Sequence, residues 1–239
     1  MFEEVSPVTV SGFASSVALF TVGHLVLGLA LKAALAHTAQ VKGWDLYTYW
    51  HSIVHTTIVL PSLLLHGALT SNQPFVGWLE QPWAGPELAS EQWVQTANIG
   101  FQIAITLLSI KQIIGDTQLV VHHVVTIGGC LALLHGAHGA GYGALFTCWT
   151  EFGSTMHNLM ILYNSTLVRW VRVITDVATR GGGMVLLLRD APIAAARGLP
   201  LPLQAWTYVG GGIWFSLNAF WWQHVLRSLL RGKPRTKAS

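Results

Sequence analysis

Apolar stretches that recur at the length of a bilayer crossing, with few charges between them, predict an all-α polytopic transmembrane helical bundle of about seven helices, with six to eight compatible with the pattern. Composition points the same way: of 239 residues, 52% are hydrophobic and only 10% are charged, whereas a soluble domain has about a quarter of its residues charged. The mean hydropathy of +0.49 is high for one water-soluble domain and natural for a chain lying mostly in roughly 30 Å of hydrocarbon. A single membrane domain over residues 1–239 follows, with no internal repeat and no low-complexity linker.

The first expected span, Val10 to Ala36, follows a stretch with Glu3 and Glu4 but no Lys or Arg, so it reads as a retained span and not as a cleaved leader. Next come Tyr49 to Leu69, Trp93 to Ile114, Leu119 to Ala137 and Tyr142 to Tyr163. The sixth stretch, Val168 to Ala196, is poorer. Arg172, Asp176, Arg180, Arg189 and Asp190 interrupt it, Gly181 to Gly183 should loosen it, and Pro192 should kink or end it, so it reads as a span or as an interfacial helix plus a short span. Leu203 to Leu226 closes the series.

Short loops set the orientation. Lys32, Lys42, Lys111, Arg169, Arg172 and Arg180, with a basic tail of Arg227, Arg231, Lys233, Arg235 and Lys237, should share the cytosolic side. Ser71 to Gln92, with Glu80, Glu87 and Glu91 and no basic residue, should lie opposite, with the amino terminus. The scattered positive charge reads as an orientation signal and an anionic-lipid contact; no nucleic-acid partner is expected. Trp44, Trp50, Trp93, Trp206, Trp221 and Trp222 fall near span ends, where an amphipathic ring prefers the headgroup zone. Cys130 and Cys148 sit in apolar segments, as small buried hydrophobes.

Polar side chains inside spans are costly in lipid and should face an interior. Gln95, Asn98, Gln102, Thr106 and Ser109 recur every three or four residues on the third span, and His51, His55, Ser62 and His66 do so on the second. The fourth carries His122, His123, Thr126 and Cys130; the fifth carries Thr150, Glu151, Ser154, His157 and Asn158. Four such stripes predict a shared cavity, with His55, Asn98, Gln102 and His123 pointing into it. The plainer alternative is hydrogen bonding between helices. His24, His37 and His224 read as interfacial or packing residues.

Three of these pieces in this order resemble the TLC domain family, which includes ceramide synthases and translocon-associated TRAM proteins. They are Gly115-Asp116 followed by Thr117 to Val121 and the doublet His122-His123; Trp50-His51-Ser52-Ile53-Val54-His55; and Glu151 with Ser154 and Asn158. The likeness covers residues 44–227 and is closest in pattern to the family's poorly characterised members. It implies a cavity that handles lipid or acyl chains, lined by His51, His55, Asn98, Gln102, Thr126, Ser154 and Asn158, and a role in lipid homeostasis in the endoplasmic reticulum or another endomembrane. The basic residues at the third and fifth positions from the end, a loose relative of retrieval signals, agree with that location.

A second implied activity is acyl-CoA-dependent N-acyl transfer, with His122 or His123 as nucleophile or general base and Asp116 or Glu151 orienting the imidazole. Against it, the acidic motif that ceramide synthases carry downstream of the paired histidines is absent: Leu134 to Gly143 holds His135 and His138 but no carboxylate. A third reading makes the chain a structural accessory subunit of a larger membrane complex. His51 with His55, and His135 with His138, are ligand-like pairs, but the further HxxHH boxes of membrane di-iron enzymes are missing, so no metal and no cofactor is expected.

Overall fold

The computed structural model describes residues 10–35, 40–71, 73–81 and 92–230. The expectations for Glu3, Glu4, His37, Glu87, Glu91 and the basic tail from Arg231 lie outside them. Every regular element among the described residues is helical. In chain order these are α1 (Val10–Ala34), α2 (Leu46–Val54), α3 (Leu60–Thr70), α4 (Phe75–Glu80), α5 (Trp93–Leu108), α6 (Ile110–Ile114), α7 (Thr117–Leu134), α8 (Ala140–Tyr163), α9 (Thr166–Asp176), α10 (Gly182–Ala196) and α11 (Leu201–Leu230).

Two joins are π-helical turns that keep the axis continuous: His55–Val59 between α2 and α3, and Val177–Gly181 between α9 and α10. In the first, the Leu60 N–H reaches back to the His55 carbonyl, five residues away, just ahead of Pro61, which has no N–H to offer. The extra residue turns α3 by about 100° against the register of α2. This corrects the stripe read on the second span: His51 and His55 are buried, whereas Ser62 and His66 face outward. The third span is also not one helix, because Ser109, at φ −130°, separates α5 from α6. The sixth stretch, which the glycines should loosen and Pro192 should kink or end, runs on: Val177–Gly181 form a π turn, Gly182 and Gly183 open α10, and Pro192 lies inside α10.

Caps fit the sequence locally. Asp116 begins α7, its carboxylate accepting from the N–H groups of Gln118 (3.1 Å) and Leu119 (3.2 Å), and Ser165 does the same for α9 through Val168 (3.2 Å). The α7–α8 turn needs Gly139, which sits at φ +93° with the Leu79 carbonyl where a side chain would be.

Helix α8 is the hub, touching α2, α3, α4, α5, α7 and α9; α1 lies along α5, α7 packs between α5 and α11, and α10 on α11. Gly100 lets α5 approach α1 so closely that a Cβ there would lie 2.8 Å from the Thr21 backbone. The α3–α5 connection, the α7–α8 turn and the α10–α11 turn meet at one end, where Arg197 donates to the Glu80 carbonyl (3.0 Å). At the other end Tyr47 bonds the Leu108 carbonyl (3.2 Å) and Trp221 bonds Gln118 (2.6 Å).

Polarity is distributed inside out. His51, His55, Gln95, Asn98 and Arg172 are fully buried, while Leu19, Val22, Val26 and Leu29 line an exposed face of α1. Three helices, Ser11–Ala34, Leu46–Thr70 and Thr117–Leu134, are long and apolar enough to cross a membrane. Helices α8 and α11 are long enough but less apolar, and α5 has 16 residues. These features suggest a membrane protein.

Candidate functional site

Between α2, α5, α7 and α8 lies a cavity of about 250 Å³. Its lining reaches the exposed Asp116 and Gln118 at the end that carries the α6–α7 turn. Gln102, His122, His123, Asp116, Glu151, Ser154 and Asn158 all line it. Asn98 and Thr126 line a smaller space of about 80 Å³, with Cys130, His138, Phe146 and Trp206. Glu151 forms part of the wall of both.

His51 and His55 line neither. They form a separate buried cluster with His24: His24 Nδ1 and His51 Nε2 share a hydrogen bond of 3.2 Å, and His55 stacks on Phe101 with ring centroids 4.1 Å apart. Of the two readings of His24, interfacial or packing, its burial agrees with packing: it is only 4% exposed. His55 Nε2 donates to Asn98 Oδ1 (3.1 Å), and Asn98 in turn reaches Cys130 Sγ (3.5 Å) and Glu151. Asn98 thus joins the imidazole cluster to the carboxylate shared by the two cavities.

The paired histidines are held differently from each other. Thr106 gives its one hydroxyl proton to the Gln102 carbonyl (2.6 Å), so the 2.9 Å contact with His123 has the ring Nδ1–H as donor. In the neutral ring this leaves the Nε2 lone pair free. His122 packs edge-on against Trp221, and its Nδ1 is buried without a partner. Among the described residues neither ring bonds a carboxylate: Asp116 caps α7, and Glu151 accepts from Ser154 Oγ (3.1 Å). The imidazole–carboxylate pair that acyl transfer would use is not assembled.

The cavity also has a charged wall. Arg172, Asp176 and Arg180, one helical turn apart, are each less than 10% exposed. Arg172 pairs with Asp176 at 2.8 Å and contacts His157; Arg180 lies 3.9 Å from Asp176 and donates to Ser154 Oγ (2.8 Å). A chain Arg180–Ser154–Glu151 therefore ties the π turn to α8. In the sequence these charges read as interruptions of a span or of an interfacial helix plus a short span. The signal that would have found them is their alternating sign at steps of four residues.

Among the described residues no group of three His, Cys, Asp or Glu side chains is arranged to hold a metal ion. His135 and His138 both lie in the α7–α8 turn. No family model matches the chain, and neither the characterised proteins nor the solved structures contain a match to it.

Proposed function

We propose that the chain is a multi-pass membrane protein of about seven spans, TLC-like, that binds acyl lipid within its bundle and serves lipid homeostasis in an endomembrane such as the endoplasmic reticulum. One observation carries this reading: a cavity of about 250 Å³, open at one end and lined by His122, His123, Ser154 and Asn158, inside a bundle whose outer surface is apolar. Polar groups held around open space in a hydrocarbon solvent are costly unless a ligand or water meets them. Trp44, Phe101, Ile105 and Ile161 supply apolar wall for a chain. Binding without turnover is favoured over acyl transfer because, among the described residues, no carboxylate orients either imidazole.

The test compares the purified wild type with the double variant His122→Ala, His123→Ala for co-purifying lipid and for acyl-CoA turnover. Lipid bound to the wild type and changed in amount or kind in the variant, with no turnover in either, supports the reading. Turnover that falls about a hundredfold in the variant would replace binding by catalysis. A wild type without bound lipid would remove the reading altogether.

A further inference from the structure

The buried charges around the cavity of about 250 Å³ balance among themselves, the exposed Asp116 apart. Arg180 and Glu151 line it and are linked through the Ser154 hydroxyl, at 2.8 Å and 3.1 Å. Behind them Arg172 and Asp176 pair at 2.8 Å. Two guanidinium groups thus face two carboxylates. Asp116, at the exposed mouth, is engaged by the two N–H groups it caps.

A ligand bringing its own net charge to the depth of Arg180 would leave one buried charge unmatched, which desolvation penalises heavily. What the cavity leaves unmet is neutral. Gln102 lines it, is 2% exposed, and its Oε1 accepts from no donor; the buried His122 Nδ1 has no partner either. An orphan acceptor calls for a ligand donor, and the imidazole can give or take according to its tautomer. By volume the cavity equals about eight waters, the scale of a small headgroup with the first carbons of a chain.

Building on the proposal that this cavity binds acyl lipid, we infer that its ligand carries an uncharged headgroup with at least one hydroxyl donor and one carbonyl acceptor, the chemistry of a monoacylglycerol. Carboxylate, phosphate and amine headgroups are selected against by the closed charge balance. The hydroxyl donates to Gln102 Oε1, and the ester region lies toward His122 and Trp221.

The full chain, reconstituted in phosphatidylcholine nanodiscs, offers a direct readout because Trp44 and Trp221 line the cavity. Brominated monoacylglycerol should quench tryptophan fluorescence with a saturable component that shrinks in Trp221→Phe and is lost when Trp44→Phe is added. A brominated fatty acid of the same chain length, and a long-chain amine used as competitor, should bind at least roughly tenfold more weakly. Gln102→Leu should weaken the monoacylglycerol about tenfold, the scale of one lost hydrogen bond. Glu151→Gln, which puts Arg180 in surplus, should turn the preference toward the fatty acid. If Gln102→Leu fails to fold, the wild-type ranking and the Glu151→Gln reversal decide. A wild type that prefers the fatty acid or the amine overturns the headgroup inference and leaves lipid binding standing. No saturable quenching by any probe overturns both.

Discussion

Two buried polar regions meet at Ser154, and they are built on opposite principles. On α5, α7 and α8 the groups are mostly uncharged amides, hydroxyls and imidazoles that satisfy one another in pairs, such as Thr147 with Gln95 (2.8 Å) and Thr106 with His123 (2.9 Å). On α9 and the following π turn they are full charges, Arg172, Asp176 and Arg180 along one helix face, with Glu151 on α8 as the second counter-charge. Neutral pairs can be lost one at a time at little cost; a charge row stands or falls together. The difference predicts a graded series of perturbations.

The largest effect belongs to the charge row. Asp176→Asn removes the carboxylate that Arg172 and Arg180 share, leaving two buried cations with Glu151 as the remaining counter-charge. Breaking a buried pair costs about 3–5 kcal/mol, so thermal unfolding in detergent should show a heavily destabilised protein. Replacing both ends of the tight pair, as Arg172→Met with Asp176→Leu, should recover part of that loss. A single variant with a near-native midpoint would mean that the row is solvated and that the contrast drawn here is false.

Toward the opposite end of the bundle a further buried titratable group sits in the wall of the smaller cavity. His138, in the α7–α8 turn, is 5% exposed, and neither ring nitrogen has a hydrogen-bond partner. Burial holds its pKa down at about 4; Asp190 nearby raises it, while His135 and Arg197 lower it further. The folded state therefore binds fewer protons than the unfolded chain, so the neutral ring's contribution is complete above pH 6.5 and is lost as pH falls toward 4. At about 1.36 kcal/mol per pH unit across that window, the loss reaches at most about 3 kcal/mol. His138→Gln should flatten the dependence of the unfolding midpoint on pH between those limits, and an unchanged slope would refute the assignment.

How the two regions could be read from the sequence differs for the same physical reason. The neutral stripes were legible because amides and hydroxyls recurring every three or four residues stand out in apolar surroundings, and Gln102, His122, His123, Glu151, Ser154 and Asn158 do line one cavity. The π turn at His55–Val59 was not legible: it adds one residue to the helical register, and the single Pro61 behind it reads equally as a kink or a break. That is why the stripe puts His66 inside whereas it lies outside, stacked on Trp93. Arg172, Asp176 and Arg180 were counted as charges that interrupt a span, because hydropathy sums residues without asking whether neighbours cancel. His24 gave no signal at all, since one imidazole on an otherwise apolar helix has no local pattern, and its partners lie 27 and 31 residues away in sequence.

Where the two regions touch, the packing has no slack. A Cβ on Gly153 would lie 2.6 Å from Arg180 Nε and 2.9 Å from Thr179 Oγ1. Gly153→Ala should cost about 1–3 kcal/mol through displacement of that guanidinium, despite alanine's better helix propensity. Gly129→Ala is the control, because nothing lies within 4 Å of its Cβ position. It should leave stability unchanged or raise it by up to about 1 kcal/mol. Equal effects of the two substitutions would show that the contact between α8 and the π turn is looser than the geometry indicates.

The smallest effect should come from the neutral region. Thr147 Oγ1 donates to Gln95 Oε1 at 2.8 Å between α8 and α5, and Gln95 Nε2 is already without a partner. Thr147→Val keeps the shape of the side chain and removes the donor, so the glutamine amide is left with neither end satisfied. In water-soluble cores such an orphan costs about 1–3 kcal/mol, but hydrogen bonds between membrane helices average nearer 0.6 kcal/mol, because the unfolded helices in lipid also find partners. The expected loss is therefore about 0.5–1 kcal/mol, several times below that of Asp176→Asn. The double variant Gln95→Leu, Thr147→Val removes both polar partners and should return close to wild-type stability, provided the extra apolar volume packs. If the single variant instead cost as much as breaking the charge row, the pair would belong to one cooperative network running through Glu151 and Ser154 to Arg180, and the two regions would be a single buried unit.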